Sequence, residues 1–236
     1  MAYVDRGFNS GGGRISPTSA EFARAGIQND CTLRPARHPQ HSVLFYEGDK
    51  AERVYELDEG VVMLFKLLPD GRRQVVEILN AGSVFGLSAG EVYDCSAESL
   101  TPVKVSTLDR NSLETSPSLQ RHVTRCLLSQ LETLHDHAVL LGRKSAMERV
   151  STFLMRLVPN RGGFGCVGPT EEAGEDSRSV TLHMTRQEIA DYLGLTIETV
   201  SRVISEMKRK GLICIDRQDQ IRIVNICRVC QMTGMH

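Results

Sequence analysis

The sequence predicts an α+β protein: an N-terminal jelly-roll β domain, one long helix, and a C-terminal winged helix-turn-helix. Three observations carry that expectation. Short apolar runs between residues 42 and 107 are cut at regular intervals by Gly, Asp and Pro. From Ser118 up to Gly142 no Gly or Pro intervenes, and apolar residues recur at spacings of three and four. Residues 185–211 then fill the positions that a helix-turn-helix requires.

Residues 1–30 carry Gly11-Gly12-Gly13 and few large apolar side chains, and are expected to form a flexible tail. The β domain is placed at 31–116. Its runs 42–46, 54–57, 61–68 and 74–79 are closed by Glu47-Gly48-Asp49, Asp58-Glu59-Gly60, Pro69-Asp70-Gly71 and Asn80-Ala81-Gly82. Asp-Gly between two apolar runs is a hairpin signal, and strands this short and regular suit two packed sheets of jelly-roll type. No His occurs between 42 and 107, which disfavours a metal-dependent enzyme of the cupin kind.

The long helix is placed at 117–143. Val123, Leu127, Leu131, Leu134, Ala138 and Leu141 form a heptad-like seam along it, as expected of a helix that pairs with its symmetry mate in a homodimer. The same pattern would also serve a helix packed on its own domain. A second helix, 146–158, stops before Pro159. Residues 159–179 are Gly-rich and acidic without apolar period and are expected to be a flexible excursion, followed by a brief strand at 180–184.

The winged helix-turn-helix is placed at 144–227, with the two-helix core at 186–205. Thr185 and Glu188 make a capping box, Gly194 breaks the first helix, Thr196 caps the second, and Gly211 stops it. Ala190 is small where two helices touch, and Ile189, Leu193, Leu195, Val200 and Val203 point to a shared core. Glu198, Ser201 and Arg202 share one outward face near the start of the second helix. Arg can take guanine O6 and N7 bidentately, Glu can accept from cytosine N4, and Ser can reach neighbouring edges. Glu198 and Arg202 could equally form an i,i+4 ion pair worth only about 0.3–0.5 kcal/mol, and both readings can hold together. Runs 212–215 and 221–224 form a hairpin, the wing. Arg217 at its tip, Lys208 and Arg209, with Thr196 and Thr199 at the helix start, are candidates for phosphate contacts.

Composition agrees with a locally basic, globally neutral protein. Lys and Arg number 28 against 29 Asp and Glu, but acids dominate 47–98 while basic residues crowd the C-terminal end. No apolar run approaches a membrane span and no signal-peptide core is visible, so a cytoplasmic location is expected. The seven cysteines are odd in number and scattered, which argues against disulfides. Cys227 and Cys230 are an isolated pair, and His135 and His137 diverge at i,i+2 on a helix; neither makes a metal site.

With the β-roll, the long helix, TRQEIADYLGLTIETVSR and a wing in order, the chain resembles the Crp/Fnr family of bacterial transcription regulators over nearly its whole length. Glu198 with Ser201-Arg202 is similar to the Fnr and FixK signature, and Ile197 stands where the cyclic-AMP receptor branch carries a further Arg. The resemblance implies a cyclic-nucleotide-binding-like β-roll and a homodimer on double-stranded DNA. It further implies an inverted repeat of the TTGA…TCAA type and contact with RNA polymerase. Thr185, Arg186 and Gln187 match the family's phosphate-contacting start of the first helix.

Two departures narrow the branch. Nucleotide-binding members keep a Gly-Glu-Leu segment and an Arg-Ser or Arg-Thr pair, where this chain has Gly86-Leu87-Ser88 and Cys95-Ser96. A buried phosphate would lack its cation. Cluster-bearing Fnr members need several N-terminal cysteines, whereas only Cys31 precedes Cys95, and Lys104 falls near the central position. No cofactor is therefore expected. What remains is similar to the FixK branch, which serves microaerobic respiration and nitrogen fixation. A ligand-, haem- or thiol-switched regulator, with Cys95, Cys126 or Cys214 as the handle, stays open.

Overall fold

The computed structural model describes residues 34–158 and 177–234. The tail at 1–30, Cys31, and most of the 159–179 excursion lie outside the described residues. The described chain divides into two units, up to Leu134 and from His135 onward.

The N-terminal unit is built from eight strands: β1 (Arg34–His38), β2 (Val43–Phe45), β3 (Arg53–Glu59), β4 (Val61–Leu67), β5 (Arg73–Asn80), β6 (Val84–Phe85), β7 (Ser96–Ser99) and β8 (Val103–Asp109). They form two four-stranded antiparallel sheets, ordered β1-β8-β3-β6 and β2-β7-β4-β5. That interleaving is the jelly roll expected from the regular turns. Between the sheets lies a core of Phe45, Leu57, Val62, Leu64, Leu79, Phe85, Ala97 and Val105. Gly60, between β3 and β4, has a φ of +94°, and a Cβ there would stand 2.5 Å from the carbonyl of Pro102. Only glycine makes that turn.

The strands at β2 to β5 fall where apolar alternation put them. β1, β6, β7 and β8 were not individually anticipated, nor was the short helix α1 (Arg110–Thr115). Helix α2 (Pro117–Arg143) is continuous and begins and ends within a residue of the expected span. Leu119, Val123 and Cys126 on α2 pack against Val54, Val84 and Leu108 of the roll. Val123, expected in the dimer seam, is therefore covered by its own unit and only 7% exposed. Periodicity alone could not divide the helix's two apolar faces. On the other face Leu127, Leu128, Leu131, Leu134 and Val139 are left exposed, and so is Ala138.

The roll buries a Glu–His pair. Glu56 lies 3.5 Å from His122 of α2, both almost fully covered. Burial raises the Glu56 carboxyl pKa. Burial works against the His122 imidazolium, but Cys126 and Glu56 outweigh it and push its pKa up to about 9.

The C-terminal unit contains α3 (Ala146–Arg156), β9 (Arg178–Thr181), α4 (Arg186–Leu193), α5 (Ile197–Arg209), β10 (Ile213–Arg217), β11 (Gln220–Ile223) and α6 (Ile226–Gln231). Its antiparallel sheet runs β10-β11-β9. β9 falls two residues earlier than the expected strand because Arg178 to Thr181 pair with the wing strand β11. The short α6, also not anticipated, starts at the Asn225 cap. Val150, Phe153, Leu154, Ile189, Leu193, Val200, Ile204, Met207, Ile213 and Ile221 are buried in this unit. Among the described residues no helix is long and apolar enough to cross a membrane.

Candidate nucleic-acid interface

Helix α4 begins where Thr185 accepts from the backbone N–H of Glu188 at 3.2 Å and the Glu188 carboxylate accepts from the Thr185 N–H at 2.6 Å. That reciprocal pair is the capping box. The helix ends at Gly194, left-handed at φ 60° and ψ 42°, and its successor starts at the Thr196 cap. Ile189, Ala190, Leu193, Val200 and Val203 are buried and Leu195 is partly so, which holds the two helices together. The helix-turn-helix template is thus realised at each position.

The reading face follows from helical phase. At 100° per residue Ser201 and Arg202 fall within 60° of Glu198 around the axis of α5, and all three are exposed. Glu198 stands in the first turn. Its carboxylate takes hydrogen bonds from its own backbone N–H and the Thr196 side chain, which hold its pKa below the usual carboxylate value. Among the described residues no ion pair joins Glu198 to Arg202; Arg202 instead lies within electrostatic reach of Glu206. The carboxylate is oriented by the cap, and the guanidinium extends from the exposed face. Ser205, which the sequence did not single out, is exposed on the same face one turn on, donating to the Ser201 carbonyl at 2.8 Å.

The candidate phosphate-binding residues differ in exposure. Thr185, Gln187, Thr196, Lys208, Arg209 and Arg217 are exposed, and Thr199 is partly so. Gln187 is engaged by Asp191 at 2.7 Å. Arg186 departs from expectation: it is half-buried, its Nη1 is buried without a hydrogen-bond partner, and burial lowers its pKa. On the wing, Arg222 pairs with Asp216 at 3.3 Å, leaving Arg217 near the tip.

In the segments that align with the family's nucleotide cassette, polar groups are engaged within the protein. Arg110 donates to the carbonyls of Gly90 at 2.7 Å and Ser88 at 2.8 Å. Ser96, where a phosphate-binding cation is missing beside it, accepts from the Glu47 N–H at 2.9 Å. Cys95 is buried, and burial pushes its thiol up to about 12, so no thiolate forms there near neutrality.

A jelly roll, a long helix and a winged helix-turn-helix with an exposed Glu–Ser–Arg face define a DNA-binding transcription regulator rather than an enzyme. Residues 148–232 match the Crp-like helix-turn-helix domain and residues 35–115 the cyclic nucleotide-binding domain. The nitrogen fixation regulation protein FixK of Azorhizobium caulinodans is 37% identical over 82% of this chain and 80% of its own. FixK of Rhizobium meliloti is 34% identical over 78% and 77%. The structure of FixK2 from Bradyrhizobium japonicum superposes with a TM-score of 0.71 at 33% identity, covering 85% of this chain and 97% of that one. The chain belongs to the Crp/Fnr family of transcription regulators, among FixK-like homologues.

Proposed function

We propose that this regulator acts as a cytoplasmic homodimer that binds an inverted repeat of the TTGA…TCAA type and activates transcription through RNA polymerase. Glu198, Ser201 and Arg202 read bases, and Thr185, Arg186, Gln187, Thr196, Thr199, Lys208, Arg209 and Arg217 hold phosphates. Arg186 does so after its half-buried guanidinium swings outward. The exposure of Glu198 and Arg202 together on α5 carries the reading, because a bidentate Arg and an oriented carboxylate can distinguish base pairs in a major groove. Dimerisation is supported by the exposed stripe Leu127, Leu131, Leu134 and Ala138, with Leu141 partly exposed beyond it. An apolar row of that length on a helix calls for a matching surface.

The regulator works without cyclic nucleotide or iron–sulfur cluster, as the missing cassette carboxylate and Arg and the scarcity of N-terminal cysteines suggest. By analogy with its relatives named for nitrogen fixation regulation, its targets are genes of nitrogen fixation, and the FixK resemblance extends them to microaerobic respiration. Selection of bound duplexes from a random pool by the purified protein tests this. A two-fold consensus with TTGA half-sites is expected; a consensus without two-fold symmetry, or none, would reject it.

A further inference from the structure

Arg149 follows the capping box of α3, where Ser145 accepts from the Glu148 N–H. Its half-buried guanidinium uses all three nitrogens. Nε donates to the Lys144 carbonyl at 2.9 Å, Nη2 to Leu141 at 2.8 Å, and Nη1 to Leu193 at 2.8 Å and Gly194 at 3.4 Å. Leu141 lies in the last turn of α2 and Lys144 just beyond it. Leu193 ends α4, and Gly194 is the left-handed residue of the helix-turn-helix turn. The last carbonyls of a helix have no intrahelical donor and sit at the negative end of its dipole. One cation therefore closes two helix ends at once.

We propose that Arg149 is the positioning residue that fixes the angle between the end of the dimer-forming helix and the helix-turn-helix. It thereby sets the spacing and rotation at which two reading faces meet DNA. This rests on the dimeric reading above. A second link also joins the end of α2 to α4, the stacking of the His137 ring on Tyr192 at a centroid distance of 4.3 Å. Stacked rings can slide and turn, and both His137 nitrogens are buried without a hydrogen-bond partner, so no hydrogen bond of the His137 ring fixes that contact, although Arg156 donates to the Tyr192 hydroxyl at 2.6 Å. The planar guanidinium fork is directional. A lysine ammonium, a point charge on a flexible stem, cannot hold carbonyls on both helix ends in the same geometry. Rotation of α4 carries α5 with it, because their shared buried core and the Gly194 turn join them.

The test uses full-length protein, Arg149→Lys and Arg149→Gln, and inverted repeats whose central spacer is native or altered by one or two base pairs. One added base pair turns one half-site by about 35° and moves it by about 3.4 Å. Wild-type protein should prefer the native spacer by about tenfold or more, and both variants should prefer it by less than about threefold. Their discrimination between matched and mismatched half-site bases should persist, because the reading side chains are untouched. An even drop in affinity on every spacer, with spacer preference intact, would overturn the proposal. So would failure of even Arg149→Lys to fold, judged by circular dichroism, since that makes the residue merely structural. If wild-type protein shows no preference for inverted repeats, the dimeric reading itself fails, and this inference with it.

Discussion

Glu77 projects from β5 into a nearly closed site, 9% exposed, where the Gln130 side chain of α2 donates to its carboxylate. Burial outweighs that hydrogen bond and raises its pKa from 4.5 to about 7. A carboxyl raised in this way favours the native state while neutral; that stability is fully present below pH 4.5 and is lost as pH rises through 7. Measured from the low-pH limit, the raised pKa removes about 3 kcal/mol of stability at pH 8 and about 1 kcal/mol at pH 5, where the unfolded chain's carboxyl already ionises. Glu77→Gln removes the titration. Its amide can still accept from Gln130 and can donate to Gln130 Oε1, which is buried without a partner. The variant should be more stable than wild type, and its advantage should grow by about 2 kcal/mol between pH 5 and pH 8. Urea unfolding at several pH values and one fixed protein concentration measures this, since the stability of any oligomer depends on concentration. Stability curves for the two proteins that stay parallel across that range would refute the reasoning.

Other perturbations probe the proposed dimer helix, the buried histidine and the roll. Leu134→Arg places a charge in the apolar stripe and should cost several kcal/mol of dimer stability; light scattering should report a monomer, and specific DNA binding should disappear. His137 is pushed down to about 4, by burial first and by the nearby Arg156 and Arg149 charges. Its contribution is complete above pH 6.5 and lost as pH falls through 4, so His137→Phe should flatten the acid limb of stability by about 3 kcal/mol. Calorimetry with cyclic AMP or cyclic GMP should detect no binding, and DNA affinity should not change on adding either; saturable binding would restore the roll as a nucleotide sensor.

The DNA-binding unit was legible in the sequence because its signals are local. A capping box, a turn glycine and an apolar template lie within residues 185–211 and involve neighbours in the chain. β7 was hidden because Ser96, Ala97 and Ser99 are small or polar yet buried. Ser99 is accommodated by the Pro39 carbonyl at 2.7 Å and the Ser42 N–H at 2.9 Å, partners far away in sequence. β1, Arg34–His38, lies at a sheet edge and pairs through its backbone with β8. Arg149 was missed for a similar reason: its acceptors are carbonyls, which any residue type supplies. The double-sided apolar character of α2 explains why Val123 was grouped with residues that face outward.

The base-reading role proposed for the exposed face of α5 and the affinity role proposed for the basic fringe are separated by one titration. Arg202→Ala and Lys208→Ala should be titrated against matched and mismatched duplexes at two salt concentrations. A bidentate Arg–guanine contact gives about 1–3 kcal/mol of discrimination, and a symmetric dimer makes it twice, so Arg202→Ala should lose about 2–6 kcal/mol on an intact site. Preference at the guanine positions should collapse with it. Lys208→Ala should weaken matched and mismatched duplexes alike and lower the salt slope by about one for each phosphate no longer neutralised. If Arg202→Ala lowers affinity evenly and leaves sequence preference intact, Arg202 is a phosphate clamp and the assigned reading face is wrong.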